Sequence, residues 1–222
     1  MSTTEARLSL GIRRMPVNVG RIHPGQIYAV CVDTPAHARP LVSGLVDDAC
    51  EQRQRVAVAL GPQSQNWRPQ LERRGTGHLI EHQRLSVLEH DAPASAPGAA
   101  RDARRLVEEL DHFGAAGSLL ILVEADGLLY GADGQVNAQE LAWLRQWAAE
   151  TLTAIVLIMY GNTGTQERID RLHGAGAALA GTARLQTDHN QIVLRLDEWH
   201  GIPSAHLHYL RDASDGAYEL AI

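Results

Sequence analysis

The chain has 222 residues, 45% of them hydrophobic, with a formal net charge of −6 and a pI near 6.0. That length can bury one good core, so a single domain over 1–222 is expected. The acidic balance, with no arginine cluster longer than two residues, argues against a nucleic-acid or anionic-membrane surface, since both reward clustered Lys and Arg. Cys31 and Cys50 are the only cysteines and read as two buried thiols in a reducing compartment. The opening MSTTEARLSLGIRRM lacks the apolar core of a signal peptide. The longest apolar runs, Leu119–Val123 and Ala154–Tyr160, are too short to span a bilayer. A soluble, cytoplasmic protein without direct membrane insertion is expected, any membrane association coming through a partner.

Residues up to about Gly25 read as an irregular entry with Pro16, Gly20 and the turn His23-Pro24-Gly25. A β-branched and aromatic run, Ile27 to about Val32, predicts the first strand. A loop of Asp, Thr, Pro, Ala and His follows, and a helix is expected from Pro40, which suits a first turn whose N–H has no partner. Leu41, Val42, Leu45, Val46 and Ala49 form its buried face. Arg55–Leu60 predicts a second strand ended by Gly61-Pro62, and Arg84–Glu89 a third. Trp67–His78 is polar and hard to assign.

Asp91–Ala100 is small and proline-broken, hence a loop. Ala103, Leu106, Val107, Leu110 and Phe113 mark an amphipathic helix over Ala100–Phe113, closed by Gly114. Ser118–Val123 (SLLILV) is continuously apolar, as in a strand covered on both faces. Asn137 as N-cap with Glu140 three residues on opens a helix to Leu152, its inner stripe Leu141, Leu144, Ala148 and Leu152. Ala154–Tyr160 is the next buried strand, and Gln166–His173 a short helix stopped by Gly174. The pattern then alternates. Ala183–Thr187 and Gln191–Asp197 flank Asp188-His189-Asn190 as a hairpin, and Ala205–Arg211 with Ala217–Ile222 make a second. The expected class is α/β: a mostly parallel sheet with helices on both faces, extended by C-terminal antiparallel hairpins.

Strand, loop and helix over Gly25–Leu45 is the frame of a phosphate-binding loop. Such a loop needs glycines whose N–H groups wrap the phosphate, then Lys and Ser/Thr for phosphate and Mg²⁺. Here Asp33 is followed by Pro35, Ala36, His37, Ala38, Arg39 and Pro40. The frame is present and its chemistry is missing.

The order of elements resembles the RecA/KaiC-type nucleotide-binding core. Leu10-Gly11-Ile12 and Pro24-Gly25-Gln26-Ile27-Tyr28-Ala29-Val30 are similar to that family's lead into its phosphate loop. The resemblance places its lysine position on Ala38 and loop glycines on Pro35 and His37. Three stretches are similar to the N-terminal domain of BcsE, a regulatory component of bacterial cellulose secretion: Leu8–Ile12, Leu120–Ala125, and the Ala138–Trp147 helix with the Ala154–Tyr160 strand. That resemblance implies a non-catalytic regulatory and scaffolding domain, a pseudo-NTPase linked to cyclic di-GMP signalling through further receiver-like and GGDEF-like domains absent from these residues. The partners it implies are other cellulose secretion subunits, among them synthase-associated regulators and a small membrane anchor protein at the inner membrane. A homo-oligomer is expected because RecA-like cores commonly assemble side by side.

Glu124 and Asp126, at the end of an apolar strand, occupy the place where a carboxylate would hold Mg²⁺ through water. Without Lys and Ser/Thr the phosphate charge has no dedicated counter-ion, so they read as vestigial. Arg39 precedes Pro40, which removes an N–H that would face a phosphate. A divergent nucleotide-binding or hydrolysing enzyme is the competing reading. His206 and His208 share one strand face, but zinc needs three or four ligands, so no metal site is assigned. No Arg has Asp three residues on, so the family's Arg-x-x-Asp signature for cyclic di-GMP is missing, and Arg101–Arg105 reads as a solvated helix face. No catalytic residue and no cofactor are expected. Trp143 and Trp147, off the core stripe of their helix, are the candidate partner contact, large aromatics being enriched at interfaces.

Overall fold

The computed structural model describes residues 8–16, 19–75, 84–90, 105–106, 108, 118–130, 135–161, 165–174, 179–203 and 207–221. Its elements are β1 (Ile27–Val32), α1 (Pro35–Glu51), β2 (Arg55–Leu60), a 3₁₀ turn (Gln65–Trp67), α2 (Arg68–Gly75), β3 (Leu85–Glu89), β4 (Ser118–Val123) and α3 (Asp126–Leu129). They continue as α4 (Ala138–Thr151), β5 (Ala154–Tyr160), α5 (Thr165–Gly174), β6 (Gly181–Asp188), β7 (Gln191–Trp199), β8 (Ile202–Pro203), β9 (Leu207–Asp212) and β10 (Tyr218–Leu220). The strands form one sheet in the order β10-β9-β7-β6-β1-β5-β4-β2-β3, with β8 against β7. Pairing is parallel from β3 through β6 and antiparallel from β6 to β10. The expected α/β architecture with C-terminal hairpins is what forms.

The central strands are apolar at every position because both faces of the sheet are covered. Period-two alternation sorts them. Tyr28, Val30, Val32, Val156 and Ile158 face α1 and the N-terminal segment, while Ala29, Cys31, Leu157 and Met159 face α4 and α5. On the first face, Leu8, Leu10 and Ile12 are buried beside α1. The contact is backbone on backbone: Gly11 has φ +68°, and a Cβ there would stand 2.0 Å from the Gly44 carbonyl carbon. Ser9 N–H donates to Asp48 Oδ2 at 2.8 Å and pins the segment to the helix.

On the second face α4 buries Leu141, Leu144 and Ala148, each leucine contributing about 1.5–3 kcal/mol of burial. Its start is the expected one: Asn137 Oδ1 accepts the Glu140 N–H at 3.2 Å. Leu152, expected on the inner stripe, instead closes the helix at φ 53° and is exposed, because a left-handed C-cap turns its side chain away from the helix face.

One sequence expectation needs correction. The helix after β1 begins at Pro35, not Pro40, so the expected loop is reduced to Asp33 and Thr34. Thr34 is extended at φ −142°, and Pro35 takes the first helical position, where its fixed φ fits and no N–H is needed. Pro40 lies inside the helix. The hard segment after Trp67 is helical as α2, a polar helix that buries Leu71. The helix expected over Ala100–Phe113 lies largely outside the described residues, although Arg105, Leu106 and Glu108 are helical and Leu106 is buried. The Asp91–Ala100 loop and Gly114 also lie outside them. Among the described residues no helix is long and apolar enough to cross a membrane.

Candidate functional site

A ligand site in an open, mostly parallel sheet belongs at the carboxyl ends of the strands, where connections leave for opposite faces. In this sheet α1 follows β1 onto the first face, and α4 and α5 lie on the second. The crevice therefore opens beyond Val32, Val123 and Tyr160, the ends of β1, β4 and β5, which are adjacent through β5.

The end of β1 is closed by its own side chains. Asp33 Oδ1 lies 2.5 Å from His37 Nδ1, and Asp33 Oδ2 accepts the Thr187 N–H at 2.8 Å. His37 Nε2 lies 3.4 Å from Thr187 Oγ1. The spacing of four puts Asp33 and His37 on one side of the first helical turn, and β6 brings Thr187 beside them through its parallel pairing with β1. The Asp33 carboxylate is 24% exposed and the His37 ring 15%. A carboxylate thus lies where the fold would receive a phosphate. Bringing a phosphate within about 4 Å of it costs about 4 kcal/mol per unit charge at an effective dielectric of about 20.

Donors are missing as well. Pro35 has no N–H, and the His37 and Ala38 N–H groups both point to the Thr34 carbonyl, at 3.1 and 3.4 Å. A Lys at Ala38 would not reach the crevice, since Ala38 is fully buried against the first-face core. Arg39 is exposed on α1. All 20 basic residues of the chain are arginine, so no lysine from another position can supply the missing ammonium.

The two strand-end carboxylates are also engaged. Glu124, 8% exposed and at φ 60°, receives the Gln63 N–H at 2.9 Å and lies 2.7 Å from Ser64 Oγ. Ser64 is fully buried and its Oγ is also 3.0 Å from the Gly61 carbonyl. Gly61 is required by this contact, since a Cβ there would stand 2.6 Å from the Glu124 side chain. Asp126 Oδ2 accepts the Tyr160 N–H at 2.9 Å and so ties α3 to the end of β5. Burial first, then the Glu124 charge, pushes the Tyr160 hydroxyl far above its usual range. Nearby, His90 is buried with Nε2 2.8 Å from the Val123 carbonyl.

The structure therefore assembles Asp33 with His37, and Glu124 with Asp126 around Tyr160. Sequence reasoning missed Thr187, Ser64, Gln63 and Tyr160 as their partners. The only local signal was Gly61-Pro62, read as a strand terminator and in fact the start of the turn that clamps Glu124. Trp143 and Trp147 are half-buried on α4 and pack against the second-face core. His208 is half-buried in β9; His206 and Arg101–Arg104 lie outside the described residues. Among the described residues no group of three or more His, Cys, Asp or Glu is placed to hold a metal ion.

The fold is similar to that of a KaiC-like protein from the hyperthermophilic archaeon Pyrococcus horikoshii OT3. The TM-score is 0.72 at 10% identity, covering 97% of this chain and 99% of that one. At that identity the likeness concerns the fold, which is RecA-like. A search of curated proteins finds no match. Residues 4–212 match the family described as cellulose biosynthesis protein BcsE, N-terminal domain. With nearly the whole chain inside that match, the protein belongs to the BcsE N-terminal domain family.

Proposed function

We propose that this chain is a non-catalytic regulatory and scaffolding domain of a bacterial cellulose biosynthesis and secretion system, working through protein–protein contacts. The observation that carries the reading is the closed end of β1. The segment that should wrap a phosphate is the first turn of α1, its His37 and Ala38 N–H groups are spent on Thr34, and the Asp33 carboxylate lies beside that turn, held by His37 and Thr187. A RecA-like frame kept without that chemistry is suited to presenting surfaces. Its partners are other cellulose secretion subunits, including synthase-associated regulators and a small membrane anchor protein, with a second copy of the chain as the simplest. Trp143 and Trp147 are the proposed contact. Coupling to cyclic di-GMP runs through domains outside these residues, in keeping with the lack of any Arg-x-x-Asp.

The alternative, a divergent nucleotide hydrolase, has one observation in its favour: Glu124 and Asp126 keep the strand-end place of a metal-holding carboxylate. Both already accept protein N–H groups, which favours the scaffolding role. The test is retrieval of synthase-complex subunits from solubilised membranes of a cellulose-producing bacterium, using the tagged chain as bait. Their recovery, together with no phosphate release from ATP or GTP, is the expected result. A folded chain that retrieves none of them and releases phosphate would reverse the reading.

A further inference from the structure

At the opposite end of the strands, below the N-termini of β1 and β6, lies a cleft of 490 Å³ between the C-terminal half of α4 and the turns at Gly25 and Gly201. That volume is in the range of small-molecule sites, which combine apolar walls with a few polar groups. Ile27, Ala149 and Leu179 supply apolar surface, and Gln26, Arg145 and His200 supply polar groups. In a chain of net charge −6, none of the described lining residues is acidic.

Arg145 is exposed on α4 and, among the described residues, has no hydrogen-bond or ion-pair partner. It contrasts with Arg68, Arg74, Arg171, Arg184 and Arg211, each of which meets a carboxylate. His200 is held firmly. Its Nε2–H donates to the Arg21 carbonyl at 2.8 Å, its backbone N–H donates to Ala180 O at 2.6 Å, and its ring meets His23 edge-on at 4.4 Å. Gly201, at φ +72°, is an exposed turn residue of the lining with nothing within 4 Å of where a Cβ would stand. Leu152, 49% exposed, brings Cδ2 to within 3.8 Å of where a Cβ on the lining residue Gly25 would stand and adds apolar surface there.

We infer that this cleft binds a small organic anion, a carboxylate or phosphate ester with an apolar body, its charge on the Arg145 guanidinium and its body against Ile27, Ala149 and Leu179. The planar fork of N–H donors on arginine suits both anions, and such charge-assisted bonds are the strong ones. The site is remote from the β1 end and independent of whether that end binds nucleotide.

Amide NMR titrations of the 222-residue chain with benzoate and phenyl phosphate test it, with benzyl alcohol and benzylamine as neutral and cationic counterparts. Saturable shifts at Gly25, Gln26, Ala149 and Gly201 are expected for the two anions only. Arg145→Gln, an exposed substitution, should weaken binding about tenfold, the loss of one charge-assisted bond. Ala149→Trp, which fills the cleft, should abolish it. Equal shifts with benzylamine, undiminished affinity in Arg145→Gln, or no saturable shift with either anion would overturn the assignment. Shifts confined to Asp33 and Thr187 would overturn it too, and would separately contradict the closed β1 end.

Discussion

Glu124 separates a structural clamp from a retired or active metal ligand by the sign of one stability change. Its carboxylate receives the Gln63 N–H and lies against Ser64 Oγ, both in a turn folded tightly against it. A hydrogen bond to a charged group contributes about 1.5–3 kcal/mol, and a buried donor left unpaired costs about 1–3 kcal/mol. In Glu124→Gln the amide oxygen can take one of the two donors, while the amide NH₂ faces the other. The net loss is then about 2–3 kcal/mol. In urea, with a slope of about 2 kcal/mol per molar, the midpoint should fall by about 1 M at unchanged slope. A carboxylate held for a metal or a reaction behaves oppositely, because active-site charges are commonly kept at a cost to stability and their removal is neutral or stabilising. An unchanged or raised midpoint in Glu124→Gln would refute the clamp.

Ala38→Lys should not restore nucleotide binding and should cost about 3 kcal/mol or more, since it buries an unpaired ammonium in the first-face core; a lowered melting temperature checks this, and gained nucleotide affinity would contradict it. Asp48 has its pKa raised, by burial first and against the hydrogen bond from Ser9, so its folded value exceeds its unfolded one and the stability it contributes is lost as pH rises through the folded value. Asp48→Asn removes that titration, so the variant should be more stable relative to the parent at about pH 7 than at about pH 4, read from paired urea midpoints; an offset independent of pH would contradict this. The Cys50 thiol is pushed up to about 12 by burial and then by Asp47 and Glu51, so its alkylation at neutral pH should be far slower than that of a free thiol. Trp143→Ala with Trp147→Ala should weaken self- or partner association by about 2 kcal/mol with circular dichroism unchanged. A light-scattering mass of one chain at high concentration in the parent would remove the homodimer.

The central parallel strands were legible as nearly continuous apolar runs bounded by polar or turn residues, as in Arg55–Leu60 and Ser118–Val123, and the C-terminal ones by alternation around Asp188-His189-Asn190. The cap of α4 was legible because Asn137 and Glu140 act over three residues. The start of α1 was not, because Pro35 and Pro40 both suit a first turn and only the extended Thr34 decides between them. The α2 helix was obscure for want of an apolar face. The clamp on Glu124 spans about sixty residues, and the Asp33–Thr187 contact spans 154. Contacts set by strand order leave no periodic trace, so Asp33 and Glu124 could be singled out from the sequence but not what holds them.

Calorimetric titration of the folded chain with ATP and GTP, in the presence of Mg²⁺, tests the central claim most directly. A closed β1 end predicts heats no larger than those of dilution for both nucleotides. A Mg²⁺-dependent dissociation constant in the low micromolar range would contradict the account.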